Sequence, residues 1–541
     1  MTTPGAMATA APTSDDPALS PDHSLAALVR PWFHARAHQP CLSCDDVTRT
    51  WGEFGARSAR VGQGLVAAGV RRGSRVSFLD QNGPEYFELL VGAMMAGGVV
   101  ASVNWRLAPR EMAQVLNLSG ASFLLVGASF LDALDTFRDQ VPTLAKVVVL
   151  GAVADERLRE GDERYEDWLA RHAAVDPQVP VAPTDTALMM YTSGTTGLPK
   201  GVMFSNAGFA RTLEMADVSR VDAEATVLVA MPVFHSLGTS FGVLTLGSGG
   251  HIVVAREAKP DLLFDLLDRW AISVTNLVPA VLKAMVEAPD AVRRDLPALE
   301  RVLYAGSPIS PELLRRCLDT FGCGMVQLYG LTETQSATAL PPEAHLDEDR
   351  PWLLESAGRP VAGSRVRVVG PDGRELPEGE VGEVELWAGT AMTGYWNDPD
   401  ATAATIRPDG FVRTGDAGYV RDGYLFLRDR IKDMVVTGGE NVYPVEVENV
   451  LLEHPGIVDA AVIGVPSERW GEAVTGIVVR APGFEELSAG DVVAFCRERL
   501  AAYKCPKQVE FLDQLPRNPS GKILKRVLRE PYWQRSERRI G

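Results

Sequence analysis

Cysteine is scarce in this chain: six in 541 residues, with no regular spacing. That argues against a disulfide framework and for a reducing compartment. Cys41 and Cys44 form an isolated CxxC; without a second ligand pair the spacing is read as incidental, neither a zinc nor a redox site. Excess basic charge is also lacking, the formal net charge being −17. Nucleic acid selects a basic face, so it is not expected as a partner. Anionic substrates must instead find local cations or backbone dipoles within a repelling overall field. No uncharged run is long enough to span a bilayer. The longest, Leu89 to Val103, falls short of the roughly 20 residues required and is expected to be a buried helix running into a strand. Residues 1–23, rich in Ala, Pro, Thr, Ser and Asp, show no basic stretch leading into an apolar run. They are expected to be a flexible tail rather than a signal peptide, which makes the protein cytoplasmic. No internal repeat is visible.

What is present is enough for a large folded enzyme. Hydrophobic residues make up 46% of the chain, so extensive disorder is excluded, and the length implies two or more domains. From about Leu25 to Gln327, helix-period segments alternate with short β-branched runs such as Arg75–Leu79, Phe123–Val126, Lys146–Leu150, Thr226–Ala230, His251–Val254 and Val274–Leu277. Strands separated by helices predict an α/β fold with largely parallel sheets flanked by helices. From Gly358 to Leu427 the segments become short, period-two and turn-rich, predicting a small antiparallel, β-barrel-like unit. After about Arg430 the pattern changes again. Tyr443-Pro444 opens a helix with Pro at its first position, strands Ala460–Val465 and Val474–Val479 follow, then a helix Ala489–Leu500 and a basic tail. The expected layout is therefore a tail over 1–23, an N-terminal domain over 24–430 that contains the β unit at 358–428, and a small mobile α+β domain over 431–541.

The most informative stretch is Tyr191-Thr192-Ser193-Gly194-Thr195-Thr196-Gly197-Leu198-Pro199-Lys200-Gly201, which leaves the apolar run Thr186–Met190. Small hydroxyl residues and glycines let backbone N–H groups approach phosphate oxygens, and Lys200 adds a cation. Leu198-Pro199 separates Gly197 from Lys200, so the spacing is neither that of a Walker loop nor that of a kinase glycine loop. The loop by itself says phosphate and does not identify the reaction.

This stretch resembles the signature of the adenylate-forming superfamily, which holds acyl-CoA synthetases, peptide-synthetase adenylation domains and firefly-type luciferases. Further motifs occur in the expected order from Thr192 to Lys522, and weaker similarity reaches back to about Leu25, so the resemblance covers nearly the whole chain. It is most like a bacterial fatty-acid-type acyl-CoA ligase. Met231-Pro232-Val233-Phe234-His235-Ser236 resembles the aromatic–His segment beside the acyl pocket, which makes His235 a gate at the acid site. Ala305-Gly306-Ser307-Pro308 resembles the adenine-binding loop, and Tyr329-Gly330-Leu331-Thr332-Glu333 the ATP and Mg²⁺ motif. Tyr329 offers a flat face to adenine, Thr332 a hydroxyl to a phosphate, and Glu333 a hard oxygen to Mg²⁺; Thr192 is a second candidate at the metal.

By the same resemblance Asp416, in Arg413-Thr414-Gly415-Asp416, takes the ribose hydroxyls; read alone, it is a turn or cap residue. Arg430 becomes a ribose or phosphate contact and Lys432 the hinge of the C-terminal domain. Gly438, Gly439 and Glu440 line the tunnel for the thiol, the glycines admitting a narrow pantetheine arm. Lys522, at the end of Pro516-Arg517-Asn518-Pro519-Ser520-Gly521-Lys522, becomes the catalytic lysine; alone it reads as a solvated surface residue. One motif departs from the pattern. Many relatives carry Ser/Thr-His after the glycine loop, and this chain has Ser205-Asn206, so no histidine role is assigned there.

The resemblance implies an acid–CoA ligase using ATP, Mg²⁺ and coenzyme A, in which domain alternation presents first Lys522 and then the 438–441 loop. Alternatives are a stand-alone adenylation enzyme that loads a carrier protein, an enzyme of the thioesterification half-reaction alone, a luciferase-like oxygenase, or a non-catalytic acyl-nucleotide binder. The segments Phe234–Gly242, Tyr304–Pro308 and Tyr329–Ser336 are expected to line the acid pocket. Gly238, Gly242, Gly306 and Gly330 are expected to leave space in it, favouring a medium or long fatty acid or a bulky ring acid over acetate. Glu333 apart, no charged side chain there marks an amino-acid substrate.

Overall fold

A computed structural model describes residues 24–192, 199–288, 295–430, 433–437, 440–467, 469–517 and 523–533. The fold is mixed α/β, and the chain divides into two compact units, each discontinuous in sequence. The first comprises the chain to Asn276 with Pro297–Leu299 and Gly389–Ala403. The second comprises Leu277–Leu296, Glu300–Ala388 and Ala404 to the C-terminus.

The first unit contains an eight-stranded sheet in the order Gly394–Tyr395, Lys200–Ser205, Thr186–Thr192, Val99–Ala101, Arg75–Leu79, Phe123–Gly127, Lys146–Leu150, Glu163–Arg164. From Thr186–Thr192 to Glu163–Arg164 every pairing is parallel, and the opposite end closes with two antiparallel pairings. Val147, Val148 and Val149 are fully buried, as expected where helices cover both faces of a parallel sheet. A second parallel group runs Val274–Leu277, Thr226–Val229, His251–Val254, Pro40–Cys44 and ends on the hairpin partner Val47–Thr50.

The apolar run that is too short for a membrane belongs to the helix Pro84–Met95, of which only Glu85 escapes burial. The chain then turns through Gly97 (φ +70°) into the strand Val99–Ala101, as expected. Among the described residues no helix is long and apolar enough to cross a membrane. The helix Trp51–Ala67 lies against Pro84–Met95 so closely that a Cβ at Gly92 would sit 2.7 Å from the Ser58 carbonyl oxygen. Glu88, on the same buried helix, is 0% exposed. It is held by Arg57 Nε at 2.8 Å, Arg49 Nε at 3.1 Å and the Tyr165 hydroxyl at 2.6 Å. Burial pushes its carboxyl up and the two arginines pull it back. Cys41 and Cys44 are free thiols buried in a strand, and burial pushes Cys44 up to about 12. Neither is a reactive thiolate.

In the second unit, Arg301–Tyr304 pairs in parallel with Gly324–Leu331, which pairs antiparallel with Gln335–Leu340 and that with Arg359–Pro360. Ser364–Val369, Gly382–Ala388, Val412–Arg421 and Tyr424–Arg430 then form a wholly antiparallel four-stranded sheet, where the period-two pattern predicts it. Downstream, Glu440–Val442, Val435–Thr437, Gly471–Arg480, Ile457–Ser467 and Gln508–Phe511 form a five-stranded sheet. Helices Pro444–Leu452 and Ala489–Arg497 accompany it, and its core is built on Val435, Val447, Leu451, Val462, Val474 and Val492.

Candidate functional site

The phosphate-loop segment of the first unit joins two antiparallel strands. Thr192 ends one and Lys200 begins the other, and the two are register partners. Ser193, Gly194, Thr195, Thr196 and Gly197 lie outside the described residues. The Lys200 ammonium sits 4.9 Å from the centre of the Tyr395 ring, a cation–π contact that keeps this charge beside the loop. Gly201 has a packing reason: a Cβ there would lie 2.8 Å from Met189 Sδ, and the Trp396 N–H donates to its carbonyl over 2.7 Å. The departure at Ser205-Asn206 has a structural role. Ser205 caps the helix Asn206–Ala210 by accepting from the Gly208 N–H, while the buried Asn206 accepts from the Leu25 N–H and donates to the Asp185 carbonyl.

His235 occupies the N-cap of the helix Ser236–Ser248. The turn before it is held by Asn82, a residue with no sequence signal. Its amide donates to the carbonyls of Met231 and Ala255, 3.1 Å each, and its oxygen accepts from the Val233 N–H. Thr239 adds a hydrogen bond to the Val233 carbonyl and another to the Tyr86 hydroxyl. The His235 side chain is half-buried, but its Nε2 is fully buried with no hydrogen-bond partner among the described residues. Burial, then the charge of Arg106, lowers its pKa to about 4. The imidazole is therefore neutral at pH 7 and can donate or accept at Nε2.

In the second unit Ala305–Pro308 continues the strand Arg301–Tyr304. Gly306 has φ +90°, a left-handed conformation that favours glycine. Ser307 stays close to its own loop, its hydroxyl donating to the Pro308 carbonyl. Thr332 and Glu333 lie at the tip of a tight hairpin, since Leu331 and Gln335 are register partners. Thr334, which sequence reading did not single out, is the residue that shapes the tip. It accepts from the Leu331 N–H at 3.0 Å, its own N–H donates to the Leu331 carbonyl, and the Gln335 amide donates to the Thr332 carbonyl.

Tyr329 and Asp416 are distant in sequence and meet here. The Tyr329 hydroxyl donates to Asp416 Oδ2 over 2.8 Å. Asp416 as a whole is only 8% exposed. It lies within the strand Val412–Arg421, not at a turn; the left-handed Gly415 (φ +68°) beside it supplies the kink that the sequence read as one. Thr414 braces the kink, donating to the Val384 carbonyl and accepting from the Asp416 N–H. Arg430 is the backbone register partner of Asp416. Glu440 is exposed on the strand Glu440–Val442. Lys432, Gly438, Gly439 and Lys522 lie outside the described residues. The chain flanking Lys522 is closed by a bridge between Arg517 and Ile523, and Arg517 pairs with Asp459 at 2.6 Å. The helix Lys525–Trp533 follows.

Three of the glycines expected to open an acid pocket do not leave space. A Cβ on Gly238 would lie 2.4 Å from the Pro232 carbonyl oxygen, one on Gly242 2.2 Å from the Phe87 ring, and one on Gly330 1.7 Å from the Gln335 carbonyl oxygen. These residues are glycine because neighbouring atoms already fill the space a side chain would need. No group of three or more His, Cys, Asp or Glu side chains among the described residues gathers as a metal site. The Glu333 carboxylate on its hairpin still fits Mg²⁺, which is commonly held by one or two carboxylates with substrate phosphates supplying the rest.

The sequence matches the AMP-binding enzyme family over residues 30–396 and the AMP-binding enzyme C-terminal domain over residues 446–522. It is 39% identical over 519 residues to the fatty acid–[acyl-carrier-protein] ligase ScoC of Streptomyces coeruleorubidus, covering 94% of this chain and 96% of that one. It is 37% identical over 486 residues to a feruloyl-CoA synthase of an Amycolatopsis species, covering 89% and 94%. Among solved structures, ATP-bound MatB from Rhodopseudomonas palustris superposes with a TM-score of 0.86 at 30% identity, covering 94% of this chain and 99% of that one.

Proposed function

Because the chain belongs to the AMP-binding enzyme family, we propose that it is an ATP-dependent acid–thiol ligase, which activates a carboxylic acid as its acyl-adenylate and passes the acyl group to coenzyme A. The observation that carries this reading is the Tyr329–Asp416 pair. A flat ring is tied by its hydroxyl to a buried carboxylate, a combination suited to a base face and a pair of ribose hydroxyls.

In the first step an oxygen of the substrate carboxylate attacks the α-phosphorus of ATP. The bond from that phosphorus to the bridging oxygen breaks and pyrophosphate leaves. Tyr329 stacks on adenine, bordered by Gly306, Ser307 and Pro308, and Asp416 accepts from the ribose, with Arg430 as a further ribose or phosphate contact. Backbone N–H groups of 193–197, the hydroxyls of Thr192 and Thr332, and Lys200 hold the phosphates. Mg²⁺ would be held by Glu333, with Thr192 as a second candidate, and would neutralise phosphate charge. His235, neutral, offers Nε2 to the acid, and Lys522 bridges the carboxylate and the α-phosphate as negative charge gathers there. In the second step the thiol sulfur attacks the acyl carbonyl, the carbon–oxygen bond to AMP breaks, and the thiol proton passes to solvent. Lys432 is the hinge on which Lys522 withdraws, and Gly438, Gly439 and Glu440 take the pantetheine arm.

The acid is a medium or long fatty acid or a bulky ring acid, as the relatives named for fatty and ferulic acids suggest. A second acceptor is favoured by one observation: the relative at 39% identity is named for an acyl carrier protein. Pyrophosphate release and thioester formation, followed together over fatty and aryl acids with coenzyme A or a phosphopantetheinylated carrier protein, test both readings. Equal amounts of pyrophosphate and acyl-CoA support the first. Thioester on the carrier alone supports the second. Failure of every acid in the panel to release pyrophosphate would overturn the ligase reading.

A further inference from the structure

Arg106 follows the strand Val99–Ala101 and carries no motif that sequence reading singled out. Its guanidinium lies 4.7 Å from the ring centre of Trp105 and 6.0 Å from that of Phe234. The Phe234 ring is in turn 4.5 Å from the imidazole of His235, whose buried Nε2 lacks a hydrogen-bond partner among the described residues. These residues form a chain of planar groups, Trp105, Arg106, Phe234 and His235, that ends on a nitrogen. A ligand is the natural group to complete that nitrogen, since leaving it buried and unmet is unfavourable.

Resting on the reading of His235 as the gate at the acid site, we propose that Arg106 is a positioning residue for the carboxylic acid: lying over the rings of Trp105 and Phe234, it fixes the Phe234–His235 pair so that Nε2 is presented to the substrate carboxylate. A broad, weakly hydrated guanidinium suits contact with two rings at once; a lysine ammonium would supply the charge from a compact, strongly hydrated head. The cation also acts directly on the imidazole. Burial already disfavours the imidazolium, and the positive charge of Arg106 adds to it, so His235 holds a neutral ring through the physiological range. After burial, Arg106 is the charge that lowers His235. Charges on segments packed against the helix Ser236–Ser248 are committed elsewhere: Arg211 pairs with Glu214 at 2.7 Å, and Arg30 with Asp176 at 2.6 Å.

The test uses the full-length protein with Arg106→Gln and Arg106→Lys. Histidine resonances are titrated by NMR without ligand, His235 being assigned by its loss in His235→Gln. The wild-type His235 signal is expected to stay neutral until about pH 4. In Arg106→Gln it should titrate at least about 0.5 unit higher, while Arg106→Lys, which keeps the charge, should hold it low. In pyrophosphate release, both variants should raise the KM for the acid by about 3- to 30-fold with kcat changed by less than about 3-fold. An unmoved His235 titration in a normally melting Arg106→Gln, or an unchanged KM for the acid in both variants, would overturn the proposal. Absence of pyrophosphate release from the wild type with every acid would instead sink the ligase reading, and the titration would then decide alone whether Arg106 governs His235.

Discussion

Tyr329→Phe removes one oxygen and leaves the ring in place, so it separates stacking from the tie to Asp416. The lost hydrogen bond is 2.8 Å long and ends on the carboxylate of Asp416, a residue only 8% exposed. Hydrogen bonds to charged groups contribute about 1.5–3 kcal/mol, and solvent replaces only part of that at a buried acceptor. If the same carboxylate accepts the ribose hydroxyls, loosening it should weaken ATP binding by about 10-fold, or ~1.4 kcal/mol. Tyr329→Ala also removes the stacking face, which contributes a further ~1–3 kcal/mol for a base on an aromatic ring, so its loss should approach 100-fold or more. The assay is ATP–pyrophosphate exchange at saturating acid with ATP varied, accompanied by thermal melts. Adding Tyr329→Phe to Asp416→Asn should cost little more than Asp416→Asn alone, because the two substitutions break one shared contact. A Tyr329→Phe enzyme with a lowered melting temperature and an unchanged KM for ATP would show that the contact only braces the fold. Full additivity of the two substitutions would equally refute the coupling.

Four further outcomes are expected. Lys522→Ala should abolish most pyrophosphate release while leaving thioester formation from supplied acyl-adenylate largely intact; near-wild-type release would remove Lys522 from the mechanism. Gly330→Ala should lose ATP-dependent exchange and destabilise the protein by about 1–3 kcal/mol, because its Cβ would lie 1.7 Å from a carbonyl oxygen of the facing strand; a normal melt with full exchange would contradict the hairpin geometry. Arg57→Ala should cost about 3 kcal/mol in urea unfolding, since it strips a partner from the buried Glu88, and should leave the KM for ATP unchanged. His251, whose Nε2 meets the Ser43 hydroxyl at 2.8 Å, is lowered by burial to about 4, as is His235 by burial and Arg106. The unfolded chain therefore binds protons that the folded one refuses. Stability should be complete above about pH 6.5 and fall as pH drops toward 4, by up to ~1.4 kcal/mol per pH unit per histidine. His251→Gln should flatten that slope between pH 6.5 and 4, and an equally steep profile would show that the histidine does not control it.

The pattern of β-branched runs placed the strands Arg75–Leu79, Lys146–Leu150, His251–Val254 and Val274–Leu277 where they lie, because burial on both faces of a parallel sheet leaves an unmistakable apolar string. The buried helix Pro84–Met95 was legible for the same reason, its uncharged run being too short for lipid and too long for a strand. Positions whose meaning depends on partners were not legible. Asn82 looks like an ordinary turn residue until its amide is seen spanning three backbone groups. Asp416 looks like a turn carboxylate until Tyr329 reaches it from 87 residues away. The glycines misled more directly, because a missing side chain reads the same whether the vacated volume is empty or occupied by Phe87 or a carbonyl oxygen.

By itself the sequence determined the chemistry on offer: a hydroxyl- and glycine-rich phosphate loop with Lys200, a hydroxyl and a carboxylate side by side at Thr332-Glu333, a basic loop ending in Lys522, and the order of those motifs along an α/β chain. Such features are local, written in adjacent residues whose backbone preferences and functional groups need no distant partner. Only the tertiary structure decided that Tyr329 and Asp416 share a hydrogen bond, that Asn206 ties Leu25 to Asp185, and that Arg106 lies over Phe234 beside His235. Those relations join segments tens to hundreds of residues apart, and their energies, set by distance, desolvation and close packing, exist only once the chain has folded.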